Sequence, residues 1–190
     1  MRGHDLFRYA AIFASVLCYS TILLGGNVMA SGDGLACPHW PTCYDNGSLL
    51  PAFVGGAAVE WSHRVSAFFL SVCVLVLALL GLAYERSRKV LLRMSLVALA
   101  LVVTEALLGG LVVESSLLAE FVLLHLAIAT ALFGLLLVLT LLSNLREMPR
   151  SWIAWARRAA DEQPAAARVS GPAPAPPAGT PPAIGQPRES

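Results

Sequence analysis

The chain has 190 residues, of which 57% are hydrophobic and 13% charged, with a formal net charge of +1. Soluble domains are usually about 45–50% apolar, so this composition excludes an ordinary soluble protein and points to an integral membrane protein. The net charge hides a positional pattern of charges, and no nucleic-acid partner is expected.

Four apolar stretches can each cross the roughly 30 Å hydrocarbon layer. In chain order they predict helices at about 9–30, 61–84, 90–113 and 118–142, an all-α bundle of four transmembrane helices over residues 1–142. The first follows Arg2 and Arg8 and ends in LLGGNV, Leu23–Val28. Val28-Met29-Ala30 resembles a leader cleavage site, but the apolar run is longer than a signal-peptide core, so a retained helix is expected. Cys18 here and Cys73 in the second span read as small buried hydrophobes.

Residues 31–60 form the one sizeable loop, rich in Gly, Pro, Asn and Asp and without Lys or Arg. Lys and Arg cluster elsewhere: Arg86, Arg88, Lys89 and Arg93 between the second and third spans, and Arg146, Arg150, Arg157 and Arg158 after the fourth. Positively charged segments stay in the cytoplasm, so both termini are expected inside and the loop outside, in a multi-pass protein of the plasma membrane. Cys37 and Cys43 bracket CPHWPTC in this loop, and an oxidising compartment favours a disulfide between them. A zinc site on Cys37, His39 and Cys43 competes with that reading, but no fourth ligand stands nearby.

The second span opens with EWSHR, Glu60–Arg64. Ionisable groups at a bilayer boundary cost roughly 2–3 kcal/mol each, so a functional site is the default reading. Glu60 precedes His63 by one helical turn on the same face, where it can act as base or electrostatic stabiliser on whatever His63 binds. The plainer alternative is a solvated carboxylate favoured by the helix dipole. Arg64 suits a carboxylate partner such as a haem propionate, and a lone intramembrane histidine can also be a core group bonded to a carbonyl.

The third span ends in LLGGLV, Leu107–Val112, an echo of the first, and Glu105 stands one turn earlier as a second intramembrane carboxylate. The helix after each double glycine carries one histidine, His63 and then His125. Two parallel helix-pair repeats follow, related by an axis along the membrane normal. His63 about one turn and His125 about two turns into their helices lie at similar depth in the outer leaflet. Facing imidazoles in a bundle are a common way to hold haem iron, with His63 and His125 as ligands. Gly25-Gly26 and Gly109-Gly110 would admit a macrocycle or simply a neighbouring helix. A di-iron site needs a second Glu-x-x-His, and the residue three before His125 is Val122. Beyond the bundle, residues 143–162 suit a cytoplasmic interfacial segment and the Pro/Ala-rich 163–190 a disordered tail.

Taken together, LLGGNVMASGDGLACPHWPTC, EWSHR and LLGGLVVESSLLAEFVLLHLAIA resemble the heme A synthase family of cytochrome oxidase biogenesis. The resemblance implies oxidation of the C8 methyl of heme O to the formyl group of heme A. It makes Glu60 the catalytic residue beside the reacting edge, His63 and His125 the haem ligands, Arg64 a cofactor contact, and Cys37–Cys43 a disulfide shaping the outer lid. Haem is the implied cofactor, as heme O substrate, heme b or both. Family members commonly have eight helices in two halves, one of them holding heme b, so one half here implies a homo-oligomer or a single-haem protein. Heme O synthase and oxidase assembly proteins are further implied partners beside membrane lipid. A loop position often basic in the family is Met29 here, which removes one expected propionate contact. Three other readings compete: a non-catalytic haem-binding assembly factor, a membrane haem electron carrier, and, weakest, a thiol-disulfide oxidoreductase.

Overall fold

The structure, a computed structural model, describes residues 3–44 and 54–145. The expected interfacial segment beyond Leu145 and the tail over 163–190 lie outside the described residues. Four helices make up nearly all of it: α1 Gly3–Ser31, α2 Gly55–Tyr84, α3 Lys89–Glu114 and α4 Ala119–Asn144. Each is long and apolar enough to cross a membrane. At about 1.5 Å per residue each extends roughly 40 Å, more than a bilayer core requires.

α1 and α2 start earlier than apolarity alone predicts. α1 begins at Gly3 because GHDLFR is helical although polar, with Asp5 in the first turn where the helix dipole favours an acid. α2 begins at Gly55, so the Gly55–Val59 part of the expected loop is helix. Gly55 takes φ 59°, a left-handed conformation suited to glycine, and the chain turns there into α2. Ala57 is then buried against the Cys37 and Cys43 side chains, which holds this first turn in place.

The buried positions explain the packing. They run 7, 11, 14, 18 and 21 in α1, and 70, 74, 77 and 81 in α2. In α3 they run 91, 95, 98, 102 and 105, and in α4 132, 136, 139 and 143. Alternating steps of four and three residues mark a coiled-coil-like seam, in which helices cross at shallow angles with side chains interlocked. Phe7, Leu77, Leu91, Leu132, Leu136 and Leu139 fill the core from all four helices. Backbones approach most closely between α1 and α2, next between α2 and α3. Small residues allow this: a methyl added at Gly81 would come within 2.6 Å of Ser95 Oγ. The large apolar side chains left outside, among them Phe13, Phe68, Leu79, Leu107 and Leu141, form the surface that a bilayer solvates.

α4 joins through side chains. Ser15 Oγ lies 3.0 Å from Thr140 Oγ1, and the Tyr19 and Phe133 rings sit 5.7 Å apart. At the bundle end near Gly3, His4 Nδ1 lies 2.6 Å from Glu85 Oε1, and Arg88 donates to the Leu142 carbonyl at 3.0 Å. These contacts tie the α2–α3 turn to the start of α1 and the end of α4.

Candidate functional site

The opposite end of the bundle holds the candidate site residues, Cys37, Cys43, Glu60, His63, Arg64 and His125. Cys37 and Cys43 are joined with Cα atoms 4.3 Å apart, and both are fully buried. The bond consumes both sulfurs and leaves a zinc ion no thiolate; among the described residues no group of three metal-binding side chains comes together. The disulfide segment lies on α2, packed against Ala57 with Ala36, Tyr44 and Trp61 around it.

Glu60 and Arg64 fasten that segment down. They are one turn apart on α2 and form an ion pair, Arg64 Nη2 to Glu60 Oε1. The other carboxylate oxygen, Oε2, accepts the Cys37 N–H at 2.7 Å. Arg64 also donates to the carbonyls of Cys37 at 2.7 Å, His39 at 2.5 Å and Thr42 at 3.1 Å. Glu60 is only 3% exposed, so its charge is taken out of water and compensated by fixed donors. The carboxylate expected opposite Arg64 is thus supplied by Glu60, and its remaining donors hold backbone carbonyls of the disulfide segment. Further along this segment the Trp40 ring covers Gly110 of α3, where a methyl would meet it at 3.1 Å. Leu117, in the α3–α4 turn, covers Gly34 in the same way.

Below this cap lie the two histidines. Extending the spacing of the α2 core backward from Leu70 by three, four and three residues reaches His63 and then Glu60, while seven residues back from Leu132 in α4 is His125. Both rings therefore belong to the inward seam. His63 Nδ1 is 3.1 Å from the Thr21 carbonyl of α1. A carbonyl only accepts, so Nδ1 carries the hydrogen and Nε2 keeps its lone pair. His125 Nδ1 sits 2.9 Å from Glu105 Oε2 of α3. The Nδ1 atom of each imidazole thus lies close to an oxygen of the preceding helix, hydrogen-bonded in His63 and in close approach in His125, and metal-bound histidines commonly bind through the other nitrogen. Imidazole nitrogens are donors of the kind that haem iron takes, so the chemistry of His63 and His125 fits such a group.

The double glycines play a part that their sequence did not specify. Gly25 seats the His63 ring: a methyl there would lie 2.9 Å from Cε1. Gly109 does the same for His125 with more room, at 3.5 Å, while Gly26 has nothing within 4 Å. In each helix pair the first glycine faces an imidazole. Thr21, whose hydroxyl lies 2.6 Å from Ser66 Oγ, is a site residue that sequence reasoning missed. Its place one turn before Gly25 on the α1 seam was the available signal.

The family model described as cytochrome oxidase assembly protein matches residues 49–170, which include Glu60, His63, Arg64, Glu105 and His125. Heme A synthase of Bacillus licheniformis is 37% identical over 126 residues, 64% of this chain and 40% of that protein. The enzyme of the same name from Bacillus pumilus is 35% identical over 140 residues, 71% of this chain and 44% of its own. A protein named protoheme IX farnesyltransferase from Halobacterium salinarum is 29% identical over 140 residues, 73% of this chain and 30% of its own. The chain spans less than half the length of these curated relatives. A family match running through Glu60, Arg64 and both imidazoles, together with these heme A synthases, settles its kinship: this membrane chain belongs to the cytochrome oxidase assembly protein family that includes heme A synthase.

Proposed function

We propose that this chain oxidises the C8 methyl of heme O to the formyl group of heme A. The observation that carries the reading is the pair of seam histidines, each with Nδ1 beside an oxygen of the preceding helix. His63 and His125 would hold the haem iron, which supplies the redox chemistry when bound. Glu60, above the ring of His63 and fixed by Arg64 and the Cys37 N–H, would stabilise positive charge developing at the reacting edge. The disulfide segment and Trp40 would screen that edge from bulk solvent while the reaction consumes a single water. The step takes one oxygen atom from water and releases four protons and four electrons (R–CH3 + H2O → R–CHO + 4 H+ + 4 e−), the electrons passing to a redox acceptor of the membrane.

The two helix pairs are parallel repeats in this reading, a view supported by the matching contacts of Gly25 with His63 and Gly109 with His125. The Lys/Arg-rich ends face the cytoplasm, which puts the site in the outer half of the plasma membrane. Copies act as a homo-oligomer, and heme O synthase is the natural donor of substrate. The pigment test is direct. Co-expressed with a heme O source in a host that lacks heme A, the chain should yield extractable formyl porphyrin; its absence despite good membrane expression removes the enzyme reading. One observation favours the alternative of a non-catalytic haem-binding assembly factor: both Glu60 oxygens are committed to the cap. That alternative predicts bound haem with no formyl product.

The glycine seats give a second test. Gly25→Ala should reduce haem retention about 10-fold, the low end of the cost of disturbing groups that orient a metal ligand, because the methyl displaces the His63 ring. Gly26→Ala adds a methyl into open space and gains up to about 1 kcal/mol of helix propensity, so haem content should hold. Equal haem content in the two variants, measured as pyridine haemochrome per protein, would remove the seat.

A further inference from the structure

Glu105 is the buried acid that the proposed reaction does not use. It lies on α3, 8% exposed, with Oε2 2.9 Å from His125 Nδ1. The contact is close but not aligned as a hydrogen bond: His125 Nδ1 and Glu105 Oε1 are both buried without a hydrogen-bond partner among the described residues. A buried polar atom left unpaired costs about 1–3 kcal/mol, so a small turn of the ring that aligns Nδ1–H with the carboxylate is favoured. His63 differs, because its Nδ1 donates to the neutral carbonyl of Thr21. The two imidazoles share a geometry but not an electrostatic partner.

We propose that Glu105 is a positioning residue for His125, orienting its ring and making it the stronger donor of the two imidazoles. The inference rests on the haem-binding reading above. A carboxylate accepting from Nδ1–H pushes electron density toward Nε2, and a neutral carbonyl does so less. An iron held by His125 would thereby be stabilised in its oxidised form. The double glycine places this pair, because Gly109 one turn further along α3 leaves room for the His125 ring beside Glu105.

The test measures the bound haem, independent of turnover. Wild-type full-length chain, Glu105→Gln, Glu105→Asp and Glu105→Ala would be purified in detergent with haem, and the visible spectrum, the midpoint potential and haem retention recorded. Glu105→Gln keeps the size and an acceptor oxygen but loses the charge, so its potential should move positive with haem still bound. Glu105→Ala should also lose haem retention by about 10-fold, the cost typical of removing a group that orients a metal ligand. Glu105→Asp keeps the charge at shorter reach and should fall between wild type and Glu105→Gln; it serves if the latter fails to accumulate. Wild-type potential and spectrum in Glu105→Gln, or in Glu105→Ala, would overturn the proposal while leaving the haem-binding reading intact. A wild-type chain that binds no haem would overturn that reading and this inference with it.

Discussion

Replacing Arg64 with Ala should destabilise the protein by about 3–5 kcal/mol, the cost of leaving one member of a buried ion pair without the other. Arg64 compensates Glu60, which is 3% exposed, and donates to the carbonyls of Cys37, His39 and Thr42. Its removal strands the carboxylate with the Cys37 N–H as its remaining donor and releases the cap at three points. Replacing both charges should do less harm. In Glu60→Gln with Arg64→Met the amide oxygen can still accept the Cys37 N–H, no charge is buried, and the Met side chain fills the apolar space. The double variant should therefore cost only about 1–3 kcal/mol, the cost of the unmade hydrogen bonds. Thermal unfolding in detergent, followed by helical circular dichroism, reads both. A double variant as damaging as Arg64→Ala would mean that the buried charge is not what Arg64 balances.

How much of this was open to sequence reasoning follows from what sets each feature. The four helices were legible because long apolar runs have few other fates, and α3 lies within a residue of its expected bounds at each end. The start of α2 was not, because Gly55 and Gly56 read as turn residues and the packing of Ala57 on Cys37 and Cys43 that keeps them helical joins distant parts of the chain. Glu60, His63, Arg64 and His125 stood out because polar groups in an apolar run need a reason. Their partners did not stand out. Arg64 reaches carbonyls 22 to 27 positions earlier, and His63 a carbonyl 42 earlier, and such contacts depend on the path of the loop. In a soluble bundle the steps of three and four would have shown as an apolar stripe and exposed the inward face of α1 and α3. Here the lipid-facing positions are apolar too, so large seam residues such as Phe7 and Leu91 do not stand out, and the stripe is marked by small and polar residues such as Ala14, Cys18, Thr21, Ser95 and Glu105.

Glu60→Gln should abolish formyl porphyrin formation while haem remains bound, a fall of about 100- to 10,000-fold where a positioned acid or base is lost. The difficulty lies in the double duty of this carboxylate: Oε1 pairs with Arg64 and Oε2 holds the Cys37 N–H, so the substitution also disturbs the cap. Gln retains an oxygen for Cys37 but turns its NH2 toward a guanidinium, donor against donor. Arg64→Ala separates the two effects, since it loosens the cap and leaves the carboxylate. If Glu60→Gln is inactive and the surviving folded fraction of Arg64→Ala still converts heme O, the carboxylate acts on the reaction itself. If both lose activity in proportion to cap integrity, measured as protection of the Cys37–Cys43 bond from a soluble reductant, Glu60 works through the cap. His63→Ala supplies the contrast, for it should remove the haem spectrum along with the product. Conversion at the wild-type rate in Glu60→Gln would leave this buried acid a structural group and return the chemistry to the haem and its two histidines.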